Sequence, residues 1–203
     1  MVSDKVIRSR KTVAHYLTQP AVRLLARTPI APDAISWFGF LVTVGAAALI
    51  ISGHLFAAAF VVLLAGFFDI LDGALARSTN RTTQFGAILD STLDRLSEAV
   101  SLLGILVFYI LTPSEPPVIV ALLVTLAMIG SFMVSYIRAR AEAAGLECQG
   151  GLFTRAERVI VLALGLLLSQ IDYALITALA IIVVFSFITV SQRLVYVWQQ
   201  TKN

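Results

Sequence analysis

Residues 66–94 read GFFDILDGALARSTNRTTQFGAILDSTLD, and the rest of the chain is understood from this stretch. It begins at the polar end of an apolar run, Leu55 to Phe68, that carries no charge, and it crosses a hydrophilic turn at 78–82 into a second apolar run. Asp69 and Asp72 are three residues apart and Asp90 and Asp94 four apart, so on helices each pair shares one face. Gly73 and Gly86 lie four residues from Asp69 and Asp90 on those faces, where a missing Cβ admits another backbone or a ligand. Two antiparallel helices joined by the turn bring four carboxylates together. An ionisable group inside a membrane span costs about 2.5–3.5 kcal/mol on insertion scales, so each Asp is a functional candidate.

The composition makes the membrane the solvent. Of 203 residues, 59% are hydrophobic and 13% charged, with a mean hydropathy of +0.91. An ordinary soluble domain is about 45–50% apolar and about 25% charged. A water-soluble globule, a disordered tail and a disulfide-stapled secreted module are excluded, and the single Cys148 rules out intramolecular disulfides and a multi-cysteine zinc site. Apolar runs predict helices at about 34–53, 55–78, 83–111, 117–142, 155–171 and 173–198. Thr154-Arg155-Ala156-Glu157 is a capping-box start for the fifth. Residues 1–28 are basic, with Val13, Leu17, Val22 and Leu25 near helical spacing, as in an interfacial amphipathic helix. The expected fold is an all-α integral membrane domain over 1–203: a cytoplasmic interfacial helix in 1–30 and six transmembrane helices in 31–203.

Charge placement gives orientation. Six of the fifteen Lys and Arg precede the first predicted helix, and most others flank the 78–82 turn, the turn between helices four and five, or the C-terminus. The other three turns have none. By the positive-inside rule, both termini and the polar turns face the cytoplasm in a multi-pass cell-membrane protein. The net charge of +3 is then topology and not a nucleic-acid footprint.

Four converging carboxylates need a cation. All-oxygen, sulfur-free ligation suits Mg²⁺, Mn²⁺ or Ca²⁺, and Mg²⁺ usually shares its shell with substrate phosphates. Arg77 and Arg81, one turn nearer the cytoplasm, can meet the remaining phosphate oxygens. The inferred site binds metal and diphosphate. Competing readings are Asp–Arg pairs that lock a bundle, or a cation transporter, which would place acidic groups near the midplane.

Asp69-x2-Asp72-Gly73-x2-Ala76-Arg77-x8-Gly86-x3-Asp90-x3-Asp94 resembles the CDP-alcohol phosphotransferase signature at every fixed position. The resemblance covers nearly the whole chain. It implies a membrane transferase that moves a phosphatidyl-type group from a CDP-linked lipid to an alcohol and releases CMP. It further implies that Asp69, Asp72, Asp90 and Asp94 bind two divalent metals, Mg²⁺ with Mn²⁺ able to substitute, and that Asp94 is also the general base. Asp69, Gly73, Arg77, Thr83 and Gly86 would contact the CDP-lipid, as would Pro32, Asp33, Ala34 and Ile35, where Asp33 stands in place of the family's more usual Asn. The relatives are homodimers, which the Gly and Ala content of these helices permits.

A second polar group gathers at the same end. Ser135-Tyr136-Ile137-Arg138-Ala139-Arg140-Ala141-Glu142, then Thr154 to Arg158, and Gln192-Arg193 cluster guanidinium groups suited to a phosphate. Positive-inside topology alone also demands arginines. These segments resemble the phosphatidylinositol phosphate synthase branch and its archaeal archaetidyl counterpart. That resemblance implies CDP-diacylglycerol as donor and 1D-myo-inositol 3-phosphate as acceptor, with Ser135, Arg138, Arg155 and Arg193 on the acceptor phosphate and Arg158 as the alternative to Arg155. Glycerol 3-phosphate, another alcohol, or an archaeal-type CDP-lipid would fit the same chemistry. Glu98 continues the Asp90–Asp94 face one turn deeper, either as a buried hydrogen-bonded group or in support of the metal ligands.

Overall fold

In the computed structural model, residues 19–25, 31–79, 81–112, 117–148 and 151–202 are described. Among them there are helices and no strands: α1 Pro32–Ile51, α2 Leu55–Ser78, α3 Gln84–Leu111, α4 Pro117–Ala143, α5 Arg155–Leu167 and α6 Ala174–Thr201. A short helical stretch also covers 19–25. The rest of the expected N-terminal amphipathic helix, 1–18 and 26–30, lies outside the described residues.

Local chemistry sets the helix ends that matter. Pro32 opens α1 at a position where its missing N–H costs no helical bond. Thr83 caps α3, its hydroxyl accepting from the Gly86 N–H at 2.9 Å. At α5 the Glu157 carboxylate accepts from the Thr154 N–H at 2.7 Å, the capping-box half visible in the sequence.

The fifth helix differs from expectation. It ends at Leu167 and not at 171, because Ser169 and Ile171 bond three residues back and Tyr173 adopts a left-handed conformation at φ +61°. Its 13 residues rise about 20 Å, short of the roughly 30 Å hydrocarbon thickness. Four helices, α1, α2, α4 and α6, are long and apolar enough to cross a membrane. α3 has 28 residues, but Asp90, Asp94, Arg95 and Glu98 all fall between its start and its midpoint turn. The architecture is an all-helical integral membrane protein in which four of the six expected spans meet the length and hydropathy requirement.

α1 packs on α2 and α3, α4 packs on α6, and contacts of α2 with α5 and of α3 with α4 join the two groups. Small residues let these backbones approach. A Cβ on Gly104 would lie 3.2 Å from Ala47, and one on Gly165 only 2.5 Å from the Ala178 Cβ. The apolar core, including Ile50, Ala58, Leu102, Ile105, Val120, Leu166 and Leu179, fills the half of the bundle toward the Ser52–His54 and 168–173 turns. The opposite half holds the polar site. Outward-facing Trp37, Phe38, Leu41, Phe56 and Phe60 leave an apolar exterior, as a lipid solvent requires.

Candidate active site

α2 and α3 run antiparallel, and their polar ends bring three of the four aspartates together. Carboxylate oxygens of Asp69, Asp90 and Asp94 all lie within 4.8 Å of one another. Asp72 is 3% exposed and stands at the edge of this group. Its Oδ2 accepts from the Ser36 hydroxyl at 2.5 Å, and its Oδ1 lies 2.5 Å from the Gly73 N–H. Asp69, Asp72 and Asp90 nonetheless line one small cavity with Ser36 and Arg155. Ser36 thus aims the fourth carboxylate, a role outside the set expected from sequence. In the sequence it directly follows the Pro32–Ile35 stretch expected to meet the CDP-lipid.

A wider cavity of about 170 Å³ opens beside the aspartates. Pro32, Asp33, Gly73, Arg77, Thr83 and Gly86 line it with Asp72 and Asp90, and Ser36, Arg81 and Thr82 contribute as well. This collects most of the residues expected to meet the CDP-lipid. Ala34 and Ile35 are not among them: Ala34 is exposed and Ile35 is buried in packing. The reason is periodicity, since a helix beginning at Pro32 turns successive side chains by about 100° and only Pro32, Asp33 and Ser36 face the cavity. The glycines make room there. A Cβ on Gly73 would lie 3.3 Å from Arg77 Nη1, and one on Gly86 would lie 2.9 Å from Thr83 Oγ1 and 3.1 Å from Asp33 Oδ1.

The arginines divide differently from expectation. Arg155, in the first turn of α5, directs Nη1 to Asp69 and to Asp94 Oδ1, the latter at 2.6 Å. It therefore joins the carboxylates and not the other arginines. Arg158 is buried and forks onto Glu98, with Nε to Oε1 at 2.5 Å and Nη2 to Oε2 at 3.0 Å. Glu98 is thus a buried, paired group, and Arg158 is engaged inside the bundle.

Arg193, 5% exposed, donates from Nη1 to the Val134 carbonyl, which places its head beside the α4 turn that carries Ser135. A Cβ on Gly151 would lie 3.2 Å from Arg193 Nε, so the close passage of the loop over this guanidinium requires glycine. Arg138 is exposed, pairs with Glu142 at 2.8 Å, and lies within electrostatic reach of Arg193. Ser135, Arg138 and Arg193 therefore sit in one region, and Arg155 is turned away from it. No local pattern in the sequence distinguishes these directions.

The donor chemistry fits a divalent cation. Three carboxylates converge without nitrogen or sulfur ligands, and a guanidinium already bridges two of them. Asp94 Oδ1 is buried without a well-aligned hydrogen bond, and such an oxygen favours a close cation.

An acidic cluster beside an arginine-lined cavity in a helical membrane protein offers what a phosphotransferase needs to hold a lipid-linked diphosphate. The chain belongs to the CDP-alcohol phosphatidyltransferase family, whose model matches residues 29–196. It is similar to the archaetidylinositol phosphate synthase of Methanothermobacter thermautotrophicus, at 40% identity over 99% of this chain and 98% of the relative. It is also similar to the phosphatidylinositol phosphate synthase of Mycobacterium tuberculosis, at 39% identity over 90% of this chain and 86% of that protein. A crystal structure of the mycobacterial enzyme with CDP-DAG bound superposes with a TM-score of 0.79 at 37% identity, covering 90% of this chain and 94% of that one. Another is in complex with manganese and citrate, again with a TM-score of 0.79 at 37% identity, covering 89% of this chain and 88% of that one. Divalent metals serve this family, and the Asp cluster offers the matching oxygen donors.

Proposed function

We propose that this protein transfers the phosphatidyl group of CDP-diacylglycerol to the hydroxyl of 1D-myo-inositol 3-phosphate, giving phosphatidylinositol phosphate and CMP. The observation that carries this reading is the aspartate cluster bordered by the Arg77 cavity, with a second basic group, Arg138 and Arg193, in the same bundle. A diphosphate donor and a phosphate-bearing acceptor each meet guanidinium groups, and the reacting atoms meet carboxylates. The names of the similar proteins support the acceptor.

Asp69, Asp72, Asp90 and Asp94 would hold two Mg²⁺, with Mn²⁺ able to substitute, supplying neutralisation of the diphosphate and of charge developing on the leaving group. Arg77 and the open backbone at Gly73 and Gly86 receive the CDP portion, with Thr83, Pro32 and Asp33 at the cavity rim. Arg138, Arg193 and Ser135 orient the acceptor by its phosphate, and Arg155 joins them as developed below. Asp94 accepts the hydroxyl proton as the acceptor oxygen bonds to the lipid-bearing phosphorus. The P–O bond to CMP breaks and its electron pair leaves on the CMP phosphate. Holding both substrates by their phosphates converts a bimolecular step into an oriented one, which accounts for a large share of the acceleration.

In this reading 1–203 is one domain, with 1–30 an interfacial helix and 31–203 a six-helix bundle. The termini and active site face the cytoplasm, the apolar exterior contacts membrane lipids, and two copies form a homodimer. Purified protein is given CDP-diacylglycerol and Mg²⁺ with inositol 3-phosphate, glycerol 3-phosphate, serine or inositol in turn, and CMP release is measured. Release with inositol 3-phosphate above all others is expected. Release only with glycerol 3-phosphate refutes the acceptor, and none with any acceptor refutes the transferase mechanism. Repeating the assay with a CDP-archaeol donor separates the two lipid types, a comparison motivated by the archaetidyl relative.

A further inference from the structure

Two charged rungs tie α3 to α5, and they are built differently. The inner rung, Glu98 to Arg158, is a buried bidentate fork that fixes one helix against the other. The outer rung lies one turn nearer the polar end, where Arg155 reaches both Asp69 and Asp94 through a single nitrogen, Nη1. Arg155 Nε is buried with no hydrogen-bond partner. A cavity of about 40 Å³, lined by Ser97, Glu98, Arg155 and Arg158 among others, adjoins the side chain, so its head is not wedged in place by packing. Arg158 Nη1 is likewise buried without a partner and borders the same cavity, so the rungs differ in their contacts: a two-nitrogen fork onto one carboxylate in the inner rung, and one nitrogen shared between two carboxylates in the outer.

Asp69 and Asp94 are also two of the three clustered carboxylates suited to a divalent cation. A guanidinium and a dication cannot both sit on them without strong repulsion in a poor dielectric. Because Glu98 holds Arg158 and thereby α5, a displaced Arg155 moves by rotation of its side chain while its helix stays put. Arg193, in the acceptor region, lies within electrostatic reach of Arg158, one turn along α5 from Arg155. Of the other anions within electrostatic reach of Arg155, Glu98 is already forked onto Arg158 and Asp90 belongs to the cation-binding cluster, which leaves the acceptor phosphate as the counter-charge for the displaced head.

We propose that Arg155 is an exchangeable counter-cation: it competes with the divalent metal for Asp69 and Asp94 and, once displaced, engages the acceptor phosphate, so that metal and acceptor binding are coupled through one side chain. The competition rests on the carboxylate geometry alone, and the acceptor half rests on the phosphate-bearing acceptor proposed above. Linkage makes the coupling reciprocal: metal tightens the acceptor by the same factor that acceptor tightens the metal.

The test measures binding and not turnover. Free Mn²⁺ is followed by electron paramagnetic resonance with the full-length protein in nanodiscs, and acceptor binding by calorimetry with and without Mn²⁺. In the unmodified protein, Mn²⁺ is expected to tighten inositol 3-phosphate about tenfold, the equivalent of one charge-assisted contact. Arg155→Ala and Arg155→Gln, the second keeping the stem, are each expected to bind Mn²⁺ about tenfold more tightly and to lose the coupling. Arg95→Ala removes the same charge nearby from a guanidinium that donates to the Ser91 carbonyl, and it should shift Mn²⁺ affinity less. Unchanged or weaker Mn²⁺ binding in both Arg155 variants, an equal shift with Arg95→Ala, or acceptor binding indifferent to Mn²⁺ overturns the proposal. If coupling appears with glycerol 3-phosphate and not with inositol 3-phosphate, the exchange stands and the acceptor assignment falls.

Discussion

Replacing Glu98 by Gln leaves the Arg158 guanidinium buried at 3% exposure without its counter-charge. The pair is linked by contacts of 2.5 and 3.0 Å. At about 3 Å and an effective dielectric of about 20, the attraction lost is roughly 5 kcal/mol. Desolvation of both ions offsets much of that in the intact pair, but removing one partner strands the other charge, which typically costs about 3–5 kcal/mol. Glu98→Gln is therefore expected to destabilise the fold by about 3 kcal/mol or more. Replacing both ions, Glu98→Gln with Arg158→Met, should cost much less than the sum of the single changes, with a coupling energy of about 2 kcal/mol or more. Unfolding in mixed micelles of increasing SDS content, followed by the fluorescence of Trp37 and Trp198, measures all three variants. A single-variant cost below about 1 kcal/mol, or additivity in the double variant, would refute the claim that this rung fixes α5 against α3.

Three further outcomes follow from the site. Asp94→Asn should lower turnover at least a thousandfold, on the order of a lost base and ligand together, while equilibrium binding of CDP-diacylglycerol changes little; turnover within tenfold of the unmodified enzyme removes Asp94 as the base. Arg193→Ala should raise the acceptor KM by about tenfold or more, the loss of a charge-assisted phosphate contact, with the CDP-lipid KM nearly constant; an equal rise in both would place Arg193 in general packing. Gly86→Ala inserts a Cβ 2.9 Å from the Thr83 hydroxyl that caps α3 and 3.1 Å from Asp33, so it should cost about 1 kcal/mol through the lost cap and raise the CDP-lipid KM, read from melting and from initial rates.

The aspartate pairs were legible because they are local. Spacings of three and four residues place Asp69 with Asp72 and Asp90 with Asp94 on shared helix faces whatever the tertiary packing, and the antiparallel return through 78–82 brings the faces together. Gly73 and Gly86 were legible for the same reason. Ala34 and Ile35 were carried along with Pro32 and Asp33 as a contiguous segment, but a helix starting at Pro32 separates neighbours onto different faces. The fifth helix is expected to reach 171 because the polar break begins only at Ser169-Gln170, but the chain leaves the helix at Leu167 for a turn that closes on the left-handed Tyr173.

By itself the sequence determined that lipid is the solvent, which helices carry the carboxylates, and that a cation must neutralise them. Each follows from composition or from contacts within a few residues along a helix. Only the tertiary structure decided that Ser36 aims Asp72, that Arg158 belongs to Glu98, and that Arg155 turns to Asp69 and Asp94 and not to Arg138 and Arg193. These partners are separated by 36 residues or more, and an arginine side chain long enough to reach either of two anionic sites has no sequence spacing that chooses between them. Helix packing makes that choice by setting which carboxylate lies within reach.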